Sequence, residues 1–332
     1  MNDGDILVLG GAHIDRRGRI SGITAPGASN PGSWFEEPGG GGFNAASNLA
    51  RLGHEVKLIS PRGGDNEGET VARAAAAAGI DDRPFVFLDR RTPSYTAIIE
   101  ADGNLVIALA DMELYGLFSP RRLMVRAVRD AIAASCLVLT DANLPEETLT
   151  RLAAVALEQG KPLAGIAISP AKVVRFRHTL AELSFLFMNE AEAEALTGAR
   201  PEDPKDWPQI LRLAGLSGGV VTRGRKPAVA FDKNMAAVLT PPEIGPLGDV
   251  TGAGDALAAG FLAAFLSGAA FSTCLRTGVA AAGIAVRSPF AVAEDMTPGN
   301  LAAAIALVPE PDVYDCRTYT IEQQNTEIKD RK

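Results

Sequence analysis

Between Gly248 and Asp255 the chain reads Gly-Asp-Val-Thr-Gly-Ala-Gly-Asp, and an alanine-rich run of helical character follows from Ala256 to Ser267. Glycines at 252 and 254 let the backbone turn tightly, so that the N–H groups of Gly252, Ala253 and Gly254 converge at the start of a helix, where the dipole also favours an anion. The turn is therefore expected to hold a phosphate group. A carboxylate in the same turn repels an anion, so Asp255 needs a separate reason. General-base chemistry supplies one: a carboxylate beside the anion can take the proton of a hydroxyl that attacks phosphorus. The other reason is structural, because aspartate commonly caps helix N-termini, and the local pattern alone leaves the two readings even.

A second glycine cluster, Pro38-Gly39-Gly40-Gly41-Gly42-Phe43-Asn44, opens a helical stretch from Ala45 to Leu52. Its glycines permit close approach of a ligand, and Asn44 offers the donor and acceptor that a sugar diol can use. By itself the cluster also reads as a flexible loop with Asn44 as a helix cap. Gly10-Gly11 follows a short apolar run, but Gly-x-Gly-x-x-Gly is absent there, which sets aside a dinucleotide fold.

Something must hold two glycine turns over 200 residues apart at one place. Apolar runs recur at 6–9, 56–59, 137–139, 163–168, 185–188 and 220–222, with alanine-rich helical stretches between many of them. This alternation predicts an α/β chain with a largely parallel sheet covered by helices on both faces. Two insertions interrupt it, at 14–37 and 85–110. In the second, Tyr95, Ala97, Ile99 and Leu105, Ile107, Leu109 alternate about Asp102-Gly103-Asn104, which predicts a hairpin. The expected organisation is a core of 1–12, 39–84 and 111–308, a small β lid of 13–38 and 85–110, and a surface extension of 309–332.

With 47% hydrophobic and 22% charged residues, the composition is that of a globular protein rather than a disordered chain. The net charge of -8, without a Lys/Arg cluster, argues against a nucleic-acid partner. Three dispersed cysteines fit neither a disulfide framework nor a CxxC metal site, and the start lacks a signal-peptide pattern, so a soluble cytoplasmic protein without a membrane partner is expected.

Taken together, the two glycine signatures resemble those of the pfkB, or ribokinase-like, superfamily of carbohydrate kinases. Further matches stand in order: Gly10-Gly11-Ala12-His13-Ile14-Asp15, Asn189-Glu190-Ala191-Glu192 and Thr222-Arg223-Gly224. The resemblance implies a three-layer α/β/α core with a mostly parallel central sheet and a small β-sheet lid. It implies ATP as phosphate donor, Asp255 as base and Asp15, Gly40, Gly41 and Asn44 at the acceptor. It also places Asn189, Thr222, Gly224 and Thr251 at the nucleotide, and Glu192 at Mg²⁺ through water. Relatives respond to monovalent cations such as K⁺, which would involve Asp249 and Ser288, and exposed lid strands suggest a homodimer. Within the superfamily, Ser29-Asn30-Pro31-Gly32, Ala110-Asp111-Met112 and Ser169-Pro170-Ala171-Lys172 resemble pseudouridine kinases, which would bring Ser29 and Lys172 to a nucleobase; Lys172 also reads as a solvated helix residue. His13 replaces the usual asparagine and Phe43 the usual arginine, which leaves another nucleoside or a free sugar such as ribose open as acceptor. A nucleotide-binding regulator without catalysis is a further alternative, opposed by the intact Gly252, Gly254 and Asp255.

Overall fold

Residues Ile6–Leu9 are all buried, and they alternate between two hydrophobic cores: Ile6 and Val8 join one, Leu7 and Leu9 the other. Burial on both faces is what a parallel sheet between helical layers demands. A computed structural model of the chain describes residues 4–245 and 251–316. In chain order the early strands are β1 (Ile6–Leu9), β2 (His13–Ile20), β3 (Gly32–Gly39), β4 (Val56–Ile59), β5 (Pro61–Gly63), β6 (Asp81–Asp82), β7 (Phe85–Phe87), β8 (Ser94–Ile99) and β9 (Leu105–Asp111). The later ones are β10 (Leu137–Asp141), β11 (Leu163–Ile166), β12 (Phe185–Asn189), β13 (Gly219–Arg223), β14 (Lys226–Phe231), β15 (Met235–Leu239) and β16 (Asp312–Asp315).

The main sheet runs β16-β15-β14-β13-β12-β11-β10-β1-β4-β6. From β13 to β6 every pairing is parallel, and β14 to β16 add antiparallel strands at one edge. From β1 the chain builds outward to β4 and then, in the other direction, to β10. That reversal leaves a crevice beyond the C-terminal ends of β1 and β10, where ligands of open α/β sheets bind. Helices Gly41–Arg51, Ala253–Leu266 and Phe271–Ala285 cover one face; Glu146–Glu158 and Trp207–Leu213 cover the other.

The small sheet, ordered β3-β2-β8-β9, includes the predicted hairpin, whose turn uses Gly103 at φ 95°. It is fastened to the core through β2 and β3. Arg16 reaches both Glu36 and Glu67, Glu37 accepts from the Ala291 N–H, and Phe35 stacks on Phe290.

Two expectations are corrected. Phe85–Phe87 does not join the small sheet; it pairs with β5, because Phe85 packs edge-on against the buried Phe118. Residues Asp312–Asp315, expected in a surface extension, complete the edge of β15, where Tyr314 and Cys316 pack against the core. The rest of that extension, 317–332, lies outside the described residues, as does Asp249.

Helix Ala253–Leu266 carries Asp255 in its first turn, and close packing fixes where that turn sits. A Cβ on Gly260 would lie 2.7 Å from Ala281 Cβ and 2.9 Å from Thr277 O, so the two long helices approach at a point only glycine allows. Gly260→Ala is expected to destabilise the fold by ~1–3 kcal/mol through overpacking, read from denaturant unfolding.

Candidate active site

Asp141, the last residue of β10, is fully buried at the point where the strand order reverses. Its Oδ2 accepts from Gly11 N at 2.9 Å, from Gly42 N at 2.7 Å and from Asn143 Nδ2 at 3.1 Å, while Oδ1 accepts from Asn143 N at 2.9 Å. One carboxylate thereby holds the turn after β1 against the first turn of helix Gly41–Arg51. The backbones meet so closely that a Cβ on Gly10 would lie 3.2 Å from Gly42 Cα. Gly40 caps the helix at φ 101°, where a Cβ would strike Gly11 O at 2.6 Å.

That clamp aims Asn44 across the cleft. Its Nδ2 donates to Asp255 Oδ2 at 2.9 Å, joining residues 211 apart in sequence, while its buried Oδ1 has no partner among the described residues. Asp255 is the third residue of its helix. The N-cap is Gly252, at φ 79°, and Asp255 makes no capping bond, so the helix-cap reading of Asp255 does not hold. Protein surrounds the carboxylate at the bottom of the cleft although the residue stays partly accessible from above. Burial pushes its pKa up to about 7; the Asn44 hydrogen bond opposes that rise, and the charges of Asp141, Glu192 and Asp15 add to it. A carboxylate poised near neutrality can accept a proton from a hydroxyl.

The first N–H groups of that helix have no side-chain cap, which suits an anion. Gly252 is required by the fold itself, since a Cβ there would meet Ala291 O at 2.1 Å. Gly254 is not: a Cβ there would meet nothing within 4 Å, so its missing side chain leaves room for a ligand. The residues therefore fit a phosphate-bearing nucleotide.

Other predicted residues fall into two groups. Asp15, on β2, receives His13 Nε2 at 3.2 Å, and His13 Nδ1 lies 2.8 Å from the Tyr115 hydroxyl. With its proton on Nε2 the ring donates to Asp15 and accepts from Tyr115, whose own pKa is raised well above its ordinary value by burial and then by Asp141 and Asp15. Lys172 is half-buried rather than solvated: its Nζ donates to Asn143 Oδ1 at 2.7 Å, and burial lowers its pKa. Lys172 is thus tied to Asp141 through Asn143, while Asn44–Asp255 and Asp15–His13–Tyr115 form separate hydrogen-bonded sets that feel the charge of Asp141.

The second group lies along the ends of β12 and β13. Asn189 and Glu192 cap helix Glu190–Thr197 reciprocally, with Asn189 N donating to Glu192 Oε2 and Glu192 N to Asn189 Oδ1. Thr222 pairs in register with Asn189, and Gly224 turns the chain at φ 64°. Glu192 is buried, which raises its pKa, and it keeps one carboxylate oxygen free of the cap. Among the described residues no cluster of three or more acidic, His or Cys side chains could cage an ion. The donor set fits Mg²⁺ carried on phosphates and reached through water, not a dedicated protein cage. Ser288 Oγ accepts from Phe290 N, and Thr251 is exposed beside the turn.

Ser29 and Phe43 stand apart from both groups. Ser29 is exposed between β2 and β3 and shares no hydrogen bond with these residues. The ring of Phe43 is buried in the core beneath its helix. Sequence reasoning missed Asp141, Asn143 and Tyr115; an Asp-Ala-Asn triplet at a strand's C-terminal end is the signal that could have found the first two.

The chain as a whole is similar to several known proteins. The pattern described as "pfkB family carbohydrate kinase" matches residues 3–296. The pseudouridine kinase of Escherichia coli K12 is 25% identical over 304 residues, 90% of this chain and 96% of that protein. The ribokinase of Haemophilus influenzae is 26% identical over 287 residues, covering 85% and 92%. Among solved structures, a carbohydrate kinase from Agrobacterium tumefaciens is 62% identical, covers 94% of this chain and all of its own, and superposes with a TM-score of 0.86. An Arabidopsis thaliana ribokinase complexed with ribose and ATP shares the fold at a TM-score of 0.80, with 20% identity and coverage of 91% and 98%.

The raised pKa of Asp255 has a cost in stability with a defined sign. Between its ordinary 3.8 and about 7 the unfolded chain releases this proton while the folded chain keeps it, so stability falls as pH rises through that window. Asp255→Asn keeps an acceptor for Asn44 and removes the charge. The variant is expected to match the parent near pH 4 and to exceed it above pH 7 by on the order of 2 kcal/mol, allowing for the accessible cleft. Urea unfolding of both proteins across that range measures the gap.

Proposed function

Because the chain belongs to the pfkB family of carbohydrate kinases, we propose that it transfers the γ-phosphate of ATP to the 5′-hydroxyl of pseudouridine, with Asp255 as the base. The carrying observation is the placement of Asp255: a carboxylate with a pKa near 7, bound to Asn44, beside a helix start with uncapped N–H groups. Asn44 holds the carboxylate in place and offers its free Oδ1 to the acceptor, while Asp15, steadied by His13, takes a sugar hydroxyl. As the hydroxyl oxygen attacks phosphorus its proton passes to Asp255, and the N–H groups of Gly252, Ala253 and Gly254 receive the charge that develops on the phosphoryl oxygens.

The remaining assignments follow the same reading. Asn189, Thr222, Gly224 and Thr251 line the nucleotide, and Glu192 holds Mg²⁺ through water. Asp249 and Ser288 would flank a K⁺ site. Gly40 and Gly41 give the acceptor close access to backbone.

A nucleoside, rather than a free sugar, is supported by a cavity of about 300 Å³ lined by Met112, Tyr115, Asn143 and Lys172, directly beside the Asp141 network. Lys172 and Asn143 place a donor and amide groups where a pyrimidine edge could meet them. The 25% identity with a pseudouridine kinase supports the same choice, and Ser29 has only that resemblance behind its role. The test is a panel of pseudouridine, uridine, adenosine, ribose and fructose with ATP. Pseudouridine is expected to lead in kcat/KM, with an acidic limb near pH 7, and Asp255→Asn to lose turnover by about 10²- to 10⁴-fold while still binding ATP. A lead for ribose replaces the nucleoside reading with that of a sugar kinase. Near-normal turnover in Asp255→Asn removes the base, and no acceptor-dependent turnover favours a regulator.

We also infer a homodimer formed through the small sheet. Strand β9 leaves one edge unpaired in the described chain, and its Ile107 and Leu109 are 65% and 69% exposed. An apolar free edge of this kind invites pairing. Light scattering is expected to give twice the chain mass for the parent and the single mass for Ile107→Glu; a monomeric parent overturns the inference.

A further inference from the structure

Ile168 is the only non-glycine residue with positive φ among the described residues, at 69°. A β-branched side chain is poorly suited to that conformation, and such outliers persist only where the surroundings enforce them. Here the enforcement is visible. Ala167 N–H still pairs with Phe187 O of β12, whereas Ser169 donates to Ala167 O at 2.8 Å and must be extended ahead of Pro170. Ile168 makes the whole turn between β11 and the segment that brings Lys172 to Asn143.

The turn throws the side chain over the C-terminal edge of the sheet, where it is half-buried and touches both cores. Its δ-methyl arrives at Gly41. The point where a Cβ on Gly41 would stand is 2.3 Å from Ile168 Cδ1, 3.4 Å from Asp141 Oδ2 and 3.4 Å from Asp255 Oδ1. An apolar methyl and two carboxylates thus flank one spot in the cleft. No alanine or polar residue could reach it from this backbone position with the same apolar surface.

We propose that Ile168 is a positioning residue for phosphoryl transfer, whose methyl forms the floor of the acceptor cleft, keeps water from Asp255 and leaves the acceptor hydroxyl as the oxygen that can attack. The proposal rests on Asp255 being the base. Water admitted to the acceptor's place would bond through its oxygen to the γ-phosphorus as the bond to ADP breaks. Its proton would pass to Asp255, giving ADP and inorganic phosphate. The groups facing Asp255 are Asn44 from helix Gly41–Arg51, Asp15 from β2, Asp141 from β10 and Glu192 beyond β12. All three acidic neighbours push its titration upward, as burial does, so admitting water weakens both influences.

Ile168→Ala, Ile168→Asn and Ile168→Leu test this. Asparagine tolerates left-handed backbone and places a polar group in the floor; leucine keeps the apolar reach. In Ile168→Ala and Ile168→Asn, ATP hydrolysis without acceptor is expected to rise about tenfold relative to acceptor-dependent turnover. The acidic limb of kcat/KM is expected to move to lower pH by about one unit. Ile168→Leu should stay near the parent in both. If Ile168→Ala fails to fold, Ile168→Asn and Ile168→Leu decide alone. A hydrolysis ratio and an acidic limb that are unmoved in folded Ile168→Ala or Ile168→Asn overturn the proposal and leave Asp255 as base. The absence of an acidic limb in the parent overturns the base reading, and this proposal with it.

Discussion

A single buried carboxylate, that of Asp141, takes four hydrogen bonds from three residues at the reversal point of the sheet, and the rest of the cleft is referenced to it. Gly11 belongs to the turn after β1, Gly42 to the opening of the next helix, and Asn143 to the loop that receives Lys172. Without an acceptor there, three buried backbone N–H groups would lack partners, at a cost of ~1–3 kcal/mol each. The glycines at 10, 11, 40 and 42 follow from the same constraint, because the segments converging on one carboxylate approach more closely than side chains allow. Residues that look like a flexible loop in sequence are therefore held by close backbone contacts on all sides of one carboxylate.

From that anchor the chemistry is laid out by rigid elements. Helix Gly41–Arg51 projects Asn44, helix Ala253–Leu266 projects Asp255, and the two side chains meet at 2.9 Å. The small sheet contributes Asp15 through β2, and its other fastenings lead back to the same place. Glu37 on β3 binds Ala291 N–H, and Ala291 O lies against Gly252, the cap of the helix that carries Asp255. The small sheet and the helix that carries Asp255 are thus linked through one residue, Ala291, by a hydrogen bond on one side and a close contact on the other.

How much of this could be read in the sequence follows from the range of each interaction. The two glycine turns, the hairpin at Gly103 and the layered α/β alternation are local signals, since turn chemistry and periodicity are written within a few residues. Asp255 was legible as an oddity, a charge in a turn built for anions, but choosing between base and cap needed the helix boundary, which put Gly252 at the cap. Tyr115 and Ile168 were not legible, and the triplet that marks Asp141 does not disclose its role, because what distinguishes these residues is what they meet: partners 99 and 130 residues away for Asp141, 102 for Tyr115. Phe43 and Asn44 are neighbours in sequence, yet a helix turns successive side chains about 100° apart, sending Asn44 toward Asp255 and Phe43 into the core. Strand β16 is four residues long and has no clear alternation, so only the free edge of β15 reveals it.

The cleft assembles an electrostatic conflict and resolves it unevenly. Asp15, Asp141 and Glu192 all raise the pKa of Asp255, in a site proposed to receive a polyphosphate. Asp141 and Glu192 spend much of their charge on backbone N–H groups, and Asp15 spends its own on His13. Asp255 alone is answered by one amide, that of Asn44. It is the group left poised between protonation states, and the imbalance is structural, since an additional donor at Asp255 would hold it ionised at the ordinary carboxylate value. Such a carboxylate would be charged at every physiological pH but a weaker acceptor for a hydroxyl proton. The fold therefore sacrifices stability at the one acidic residue proposed to accept a proton, where a basicity near neutrality would serve that role, and secures the surrounding carboxylates so that they can hold its environment fixed.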